Sequence, residues 1–172
     1  MKKQDILENL VKPVYLAIGS NIGNKSKNIE TVKLELEKNN IKILKSSSSY
    51  ISKSWPDPKK PSYINIVIKV KTILLPNELL KVCNNIESKL GRIRTEKNAP
   101  RTCDIDIIDY DKKILKKNNQ LILPHPRLNK RNFVLLPLFE IDKSWKHPES
   151  NINIVNLINS LPVKDLRSIK QI

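Results

Sequence analysis

Apolar and polar positions alternate most cleanly between residues 63 and 71. Ile64, Ile66, Ile68 and Val70 fall on one side, with Tyr63, Asn65, Val67, Lys69 and Lys71 on the other. A period of two marks a strand with one face against a core and the other available. Earlier in the chain, the apolar run Val14 to Ile18 ends in Gly19-Ser20-Asn21, which predicts a strand followed by a turn. Ile29, Val32 and Leu36 then fall at helical spacing, with Ser26 as the expected N-cap and Asn39-Asn40 as the stop. Residues 41 to 52 read as a second strand. The segment Trp55-Pro56-Asp57-Pro58-Lys59-Lys60-Pro61 is a proline-studded loop that cannot join a sheet ladder.

After the alternating strand, Pro76 opens a helix whose apolar stripe is Leu79, Cys83, Ile86 and Leu90, and Gly91 closes it. The next strand carries Asp104, Ile105, Asp106 and Ile107, and Tyr110-Asp111-Lys112-Lys113 turns it into a hairpin. Beyond Leu121-Ile122-Leu123 and the loop Pro124-His125-Pro126-Arg127 comes an apolar run, Phe133 to Ile141, interrupted by Pro137. Residues 152 to 161 read as a short helix and the last residues as loose. The order strand, helix, strand, strand, helix, strand is the split β-α-β pattern of an α+β fold. It implies an antiparallel sheet with helices on one face and the active-site cleft on the other. Tyr63, Asn65, Asp104 and Asp106 then share the open face.

At 172 residues the chain fits one domain, 1–172, with a core of about 14–145 and a C-terminal extension, 146–172. Cys83 and Cys103 form neither a disulfide framework nor a metal-ligand spacing, and a reducing cytoplasm is the expected compartment. The N-terminus lacks an apolar h-region, and no stretch approaches the ~18 apolar residues of a membrane span. The net charge of +15, from 32 Lys plus Arg against 17 Asp plus Glu, raises nucleic acid as a partner. The excess is mostly lysine, spread along the chain without interleaved aromatics, so it is weak evidence for a polyanion and remains compatible with a nucleoside triphosphate.

The densest chemistry is Pro100-Arg101-Thr102-Cys103-Asp104-Ile105-Asp106. Side chains at i and i+2 leave a strand on the same side. Alone, such a pair is more often a solvated face than a site. Two carboxylates held this close repel each other and invite a hard divalent cation. Oxygen ligands of this kind suit Mg²⁺, which takes its remaining ligands from water and substrate phosphate. Basic clusters flank the pair: Arg92 and Arg94 after the second helix, Arg101 just before it, and His125 through Arg131 after the hairpin. Guanidinium groups recognise phosphate bidentately, so the pattern points to phosphate chemistry.

These residues resemble 6-hydroxymethyl-7,8-dihydropterin pyrophosphokinases of folate biosynthesis over about Val14 to Ile141. The landmarks are Ala17-Ile18-Gly19-Ser20-Asn21-Ile22-Gly23, Tyr63-Ile64-Asn65, Glu87 with Gly91-Arg92-Ile93-Arg94, Pro100-Arg101-Thr102 with Asp104-Ile105-Asp106, Pro124-His125-Pro126-Arg127, and Arg131-Asn132-Phe133 running into Pro137-Leu138-Phe139-Glu140. The resemblance implies a ferredoxin-like fold and transfer of the terminal pyrophosphoryl group of ATP to the pterin hydroxymethyl oxygen, releasing AMP. It implies action on small molecules, with ATP as co-substrate and two Mg²⁺ ions on Asp104 and Asp106; a monomer without nucleic-acid or membrane partners is the expectation. Arg92 and Arg101 are implied as catalytic. Tyr63, Phe133 and Asn65 match pterin-binding positions, with Trp55 at the pocket mouth. Asn84, Glu87, Arg92, Arg94, Arg101, Ile107, His125 and Arg131 match nucleotide-binding positions, with Glu87 accepting from the ribose. Asn98-Ala99 stand where many members carry Trp-Gly, so closure of a Trp-bearing lid is not implied.

Two other readings compete. Gly19 through Ser26 nearly spells a P-loop, but the second glycine comes one residue early, and a strand-to-helix turn fits better. A non-enzymatic RNA-binding module could use the same fold and the basic charge. It lacks an aromatic RNP-type strand, and two aspartates on the sheet face would repel phosphate.

Overall fold

Strand β1 (Lys12–Ser20) runs through the middle of a six-stranded antiparallel sheet, paired with β4 (Tyr63–Thr72) on one side and β5 (Asp104–Tyr110) on the other. The outer edge of β4 is shared by β2 (Lys42–Ser46) and β3 (Tyr50–Ser52), and β6 (Ile169–Gln171) closes the sheet beyond β3. The computed structural model describes residues 11–55, 57–92, 99–116 and 120–172. With β2 and β3 taken as one broken strand, the order β5-β1-β4-β3 is the ferredoxin-like order.

The single strand expected over 41–52 breaks at Ser47, whose hydroxyl accepts from the Val67 N–H at 3.0 Å while its own N–H donates to Val67 O at 2.9 Å. A serine side chain thus takes over a ladder bond and bends the strand. Helices α1 (Lys25–Lys38) and α2 (Pro76–Lys89) cover one face. Their buried stripes, Ile29, Val32 and Leu36 with Leu79, Cys83 and Ile86, meet Ile66, Ile68, Val70, Ile105 and Ile107. α1 begins two residues earlier than Ser26 implies. Asn24 is the N-cap, its side chain accepting from Lys27 N at 3.0 Å.

The Phe133 to Ile141 run forms α3 (Asn132–Ile141), which packs with α4 (Ile154–Asn159) over the opposite face. Val134, Leu135 and Leu138 meet Tyr15, Val67 and Ile108 there, so a second helical layer covers part of the cleft face. A β-bulge in β5 makes this possible: Leu16 pairs with Ile107 and Tyr15 with Asp109, so the unpaired Ile108 turns into the second core. The turn at Asp111 and Lys112 is tight, with φ of 49° and 55°. The chain leaving it forms an isolated bridge, Leu115 to Leu123, instead of pairing back on β5. The last residues are not loose: they form α5 (Val163–Arg167) and β6. No helix among the described residues is long and apolar enough to cross a membrane.

Candidate active site

The α3 layer stops short of the C-terminal end of β1, and the uncovered part of the sheet carries the chemistry. Gly19 pairs with Asp104 on one side and Asn65 on the other; one step along, Ala17 pairs with Asp106 and Val67. Paired residues of an antiparallel sheet point to the same face. Asp104, Gly19 and Asn65 therefore stand in one row across three strands, with Asp106 behind. A Cβ on Gly19 would lie 3.2 Å from Asn65 Oδ1 and 3.5 Å from Tyr63 Cδ1. The missing side chain keeps a flat floor between the carboxylate and the amide.

Each acidic residue meets its own cations. Arg92 Nη1 donates to Asp104 Oδ1 at 2.6 Å, and Arg101 Nη1 to Asp104 Oδ2 at 3.1 Å. Arg131 Nη1 donates to Asp106 Oδ2 at 2.6 Å, with His125 Nε2 at 3.7 Å from the same oxygen. Burial pushes the Asp106 carboxyl up, but the charges of His125, Arg131 and Arg127 outweigh it and hold the group below the ordinary value. His125 moves down, first through burial and then through the two arginines, against the pull of Asp106. Its Nδ1 accepts from Arg127 N at 3.1 Å, which leaves Nε2 to carry the proton that faces Asp106.

The aromatic side of the face is held with equal definition. Asn65 donates both amide hydrogens, to Tyr50 O at 3.3 Å and Ser52 Oγ at 2.9 Å, so its oxygen is the atom turned over Gly19. Arg101 lies 5.9 Å above the Tyr63 ring and Arg131 5.5 Å above the Phe133 ring. On the other side, beyond the edge of β5, a cleft of about 470 Å³ is lined by Leu80, Asn84, Glu87, Arg92, Ile105 and Gln120 together with both aspartates.

Glu87 is 3% exposed; its Oε1 accepts the Ile105 N–H at 2.8 Å and pairs with Arg92. It therefore caps the free edge of β5 and positions Arg92 from within the cleft lining. Ile107 is also 3% exposed and packed under the helices, so its side chain belongs to the core. Trp55, 76% exposed, follows Ser54, whose hydroxyl donates to Pro61 O at 2.6 Å. Arg94 and the altered segment at Asn98 lie outside the described residues.

Among the described residues no group of three or more His, Cys, Asp or Glu forms a metal cage. Two carboxylates on one strand face, each bonded by arginine, offer a donor set that fits a cation such as Mg²⁺, which completes its shell with other oxygens.

The sequence model of the 7,8-dihydro-6-hydroxymethylpterin-pyrophosphokinase (HPPK) family matches residues 15–143. The chain belongs to the HPPK family. Among its relatives, the 2-amino-4-hydroxy-6-hydroxymethyldihydropteridine pyrophosphokinase of Aquifex aeolicus is 39% identical over 135 residues, covering 78% of this chain and 83% of that protein. The folic acid synthesis protein fol1 of Pneumocystis carinii is 35% identical over 169 residues, 98% of this chain but 22% of its own length. The chain thus spans about a fifth of that larger relative. Plasmodium falciparum HPPK-DHPS, solved with pterin and p-hydroxybenzoate, shares the fold at a TM-score of 0.70 and 17% identity, over 94% of this chain and 46% of that one.

Gln120 joins the cleft without having been singled out from the sequence, and Gly19 and Asn21, quoted there only as landmarks of the first turn, take specific places beside it. Asn21 is 2% exposed and ties three segments together. Its N–H donates to Arg101 O at 3.2 Å, its Oδ1 accepts from Arg101 N at 2.7 Å, and its Nδ2 donates to Pro61 O at 3.1 Å. Two α1 side chains act similarly: Asn28 donates to Thr102 O at 3.1 Å and Lys25 to Ser62 O at 2.6 Å. The residues just before Asp104 and Tyr63 are pinned in this way. In the sequence Asn21 read as a turn residue within a landmark of the resemblance, with no sign of these partners.

Proposed function

We propose that this HPPK-family chain transfers the β,γ-pyrophosphoryl group of ATP to 6-hydroxymethyl-7,8-dihydropterin. The hydroxymethyl oxygen bonds to the β-phosphorus, the bond between that phosphorus and the bridging α,β-oxygen breaks, AMP leaves, and the hydroxyl proton passes to solvent. The observation that carries this reading is the row Asp104–Gly19–Asn65, where carboxylate, flat floor and oriented amide lie side by side. The pterin is assigned to the Tyr63, Asn65 and Phe133 side, where offset stacking and one acceptor suit a planar heterocycle with N–H donors. ATP is assigned to the cleft of Asn84, Arg92 and Gln120, its phosphates reaching Arg92, Arg101, His125 and Arg131 as these leave the aspartates.

Asp104 and Asp106 are the residues that would hold magnesium, two ions in this reading. When bound, magnesium supplies charge neutralisation on the phosphates and a lowered pKa at the attacking hydroxyl. The protein's own part is to orient both substrates on a rigid sheet and to place arginine charge around the transferred group, which is where phosphoryl-transfer enzymes gain most of their rate. The family match favours this reading over an RNA-binding module.

The test is AMP and pterin pyrophosphate formation by purified protein with ATP and Mg²⁺, with and without the dihydropterin. Pterin-dependent AMP, lost by about three orders of magnitude or more in folded Asp104→Ala and Asp106→Ala, is the expected result. Wild-type turnover in either variant removes the carboxylates from the site, and AMP formation indifferent to pterin removes the acceptor.

A further inference from the structure

The HPPK match ends at residue 143, yet residues 163–172 reach the pterin side of the face from two directions. α5 lies against the start of α3. Asn132 Nδ2 donates to Asp165 O at 2.5 Å and to Ser168 Oγ at 3.2 Å, while Asn132 Oδ1 accepts the Phe133 N–H at 2.7 Å. From the other direction, β6 pairs with β3, matching Ile169 to Ser52 and Gln171 to Tyr50. β3 in turn matches Ser52 to Tyr63 and Tyr50 to Asn65 on β4. Two of the three sheet rows that end on β6 are therefore the rows of Tyr63 and Asn65, and the third, through Ile51, is that of Ile64. Tyr50 O and Ser52 Oγ are also the two acceptors that fix the Asn65 amide. A three-residue strand left at a sheet edge is weakly held. β6 makes β3 an interior strand.

We propose that residues 163–172 are a positioning element for the pterin, holding Asn65 through β3 and Phe133 through Asn132. The identity of the ligand rests on the pyrophosphokinase reading above. The segment touches the substrate nowhere in this scheme, so its effect is on pterin affinity and leaves ATP affinity and the chemical step nearly untouched.

Ile172 N donates to Ser49 O at 2.9 Å. Lys170, two residues back and matched to Ile51, is in the same phase of the ladder, so its N–H points at β3. In the full chain, Lys170→Pro removes that donor, whereas Lys170→Thr keeps it. The expected result is a pterin KM raised about tenfold in Lys170→Pro, with kcat and the ATP KM near wild type, and Lys170→Thr matching wild type. Asn132→Ala, which cuts the other anchor, shows the same split and serves if Lys170→Pro does not fold. An unchanged pterin KM, or an equal rise in the ATP KM, overturns the proposal. A wild-type protein that forms no pterin-dependent AMP overturns the pyrophosphokinase reading instead. Amide hydrogen exchange then decides the positioning role: Lys170→Pro speeds exchange at Ser52, Asn65 and Phe133, and unchanged exchange there overturns it.

Discussion

Gly19 and Asn65 face each other across β1 and β4 so closely that a single added carbon on Gly19 would stand 3.2 Å from the Asn65 amide oxygen. Gly19 has no left-handed backbone to protect, so alanine fits its conformation and costs no backbone strain. What alanine changes is the floor. Gly19→Ala should leave the melting temperature within a few degrees of wild type while weakening pterin binding about tenfold or more. Titration calorimetry with the dihydropterin and a non-hydrolysable ATP analogue checks it, and unaltered affinity would place the pterin elsewhere.

Arg131 Nη1 donates to Asp106 Oδ2 at 2.6 Å, so a cation at that oxygen must compete with a guanidinium. Arg131→Ala should tighten Mn²⁺ binding to the nucleotide-free protein by roughly three- to tenfold, while kcat/KM for ATP falls because the phosphates lose a partner. The opposite signs are the test. A loss in both quantities would mean that Arg131 only braces the carboxylate.

Trp145 Nε1 donates to Asp109 Oδ2 at 2.8 Å, and Lys112 N donates to its Oδ1 at 2.9 Å. Asp109 is 2% exposed, and burial raises its pKa in spite of those bonds. Trp145→Phe strips one donor from a buried carboxyl and should cost about 1–3 kcal/mol in urea unfolding, with kcat unchanged at temperatures where the variant is folded. A cost near zero would show that water replaces the indole.

Asp142 accepts from Tyr15 Oη at 2.5 Å, Ser144 Oγ at 2.7 Å and Lys69 Nζ at 3.3 Å. Burial pushes the carboxyl up, but these donors and the Lys69 charge bring it down to about 2. A depressed folded-state pKa stabilises the protein above the unfolded value of about 4 and loses that contribution as pH falls towards 2. Wild type should therefore lose stability over that window more steeply than Asp142→Asn. Parallel pH profiles of the two melting temperatures would count against the assignment.

Much of this was legible in the chain because the signals were local. The alternation at Ile64, Ile66, Ile68 and Val70 and the spacing of Asp104 and Asp106 each depend only on the geometry of one strand, and both appear as read. Pro76 and Gly91 likewise mark helix ends through their own backbone restrictions. Phe133 to Ile141 was harder, because a run that is apolar almost throughout shows neither period, and it became a helix that roofs half of the face.

The sequence by itself determined that two carboxylates share a strand face with arginines nearby in the chain, since side-chain alternation is a property of neighbouring residues. Only the tertiary structure decided that Gly19 stands between Asp104 and Asn65, that Arg92 and Arg101 serve Asp104 while Arg131 serves Asp106, and that β6 backs the rows of Tyr63 and Asn65. Apart from the Arg101–Asp104 pair, three residues apart, each of those relations is a register or a contact between separate segments of the chain. Strand pairing sets them through backbone hydrogen bonds that every residue type offers alike, so residue identity leaves little trace of the partner.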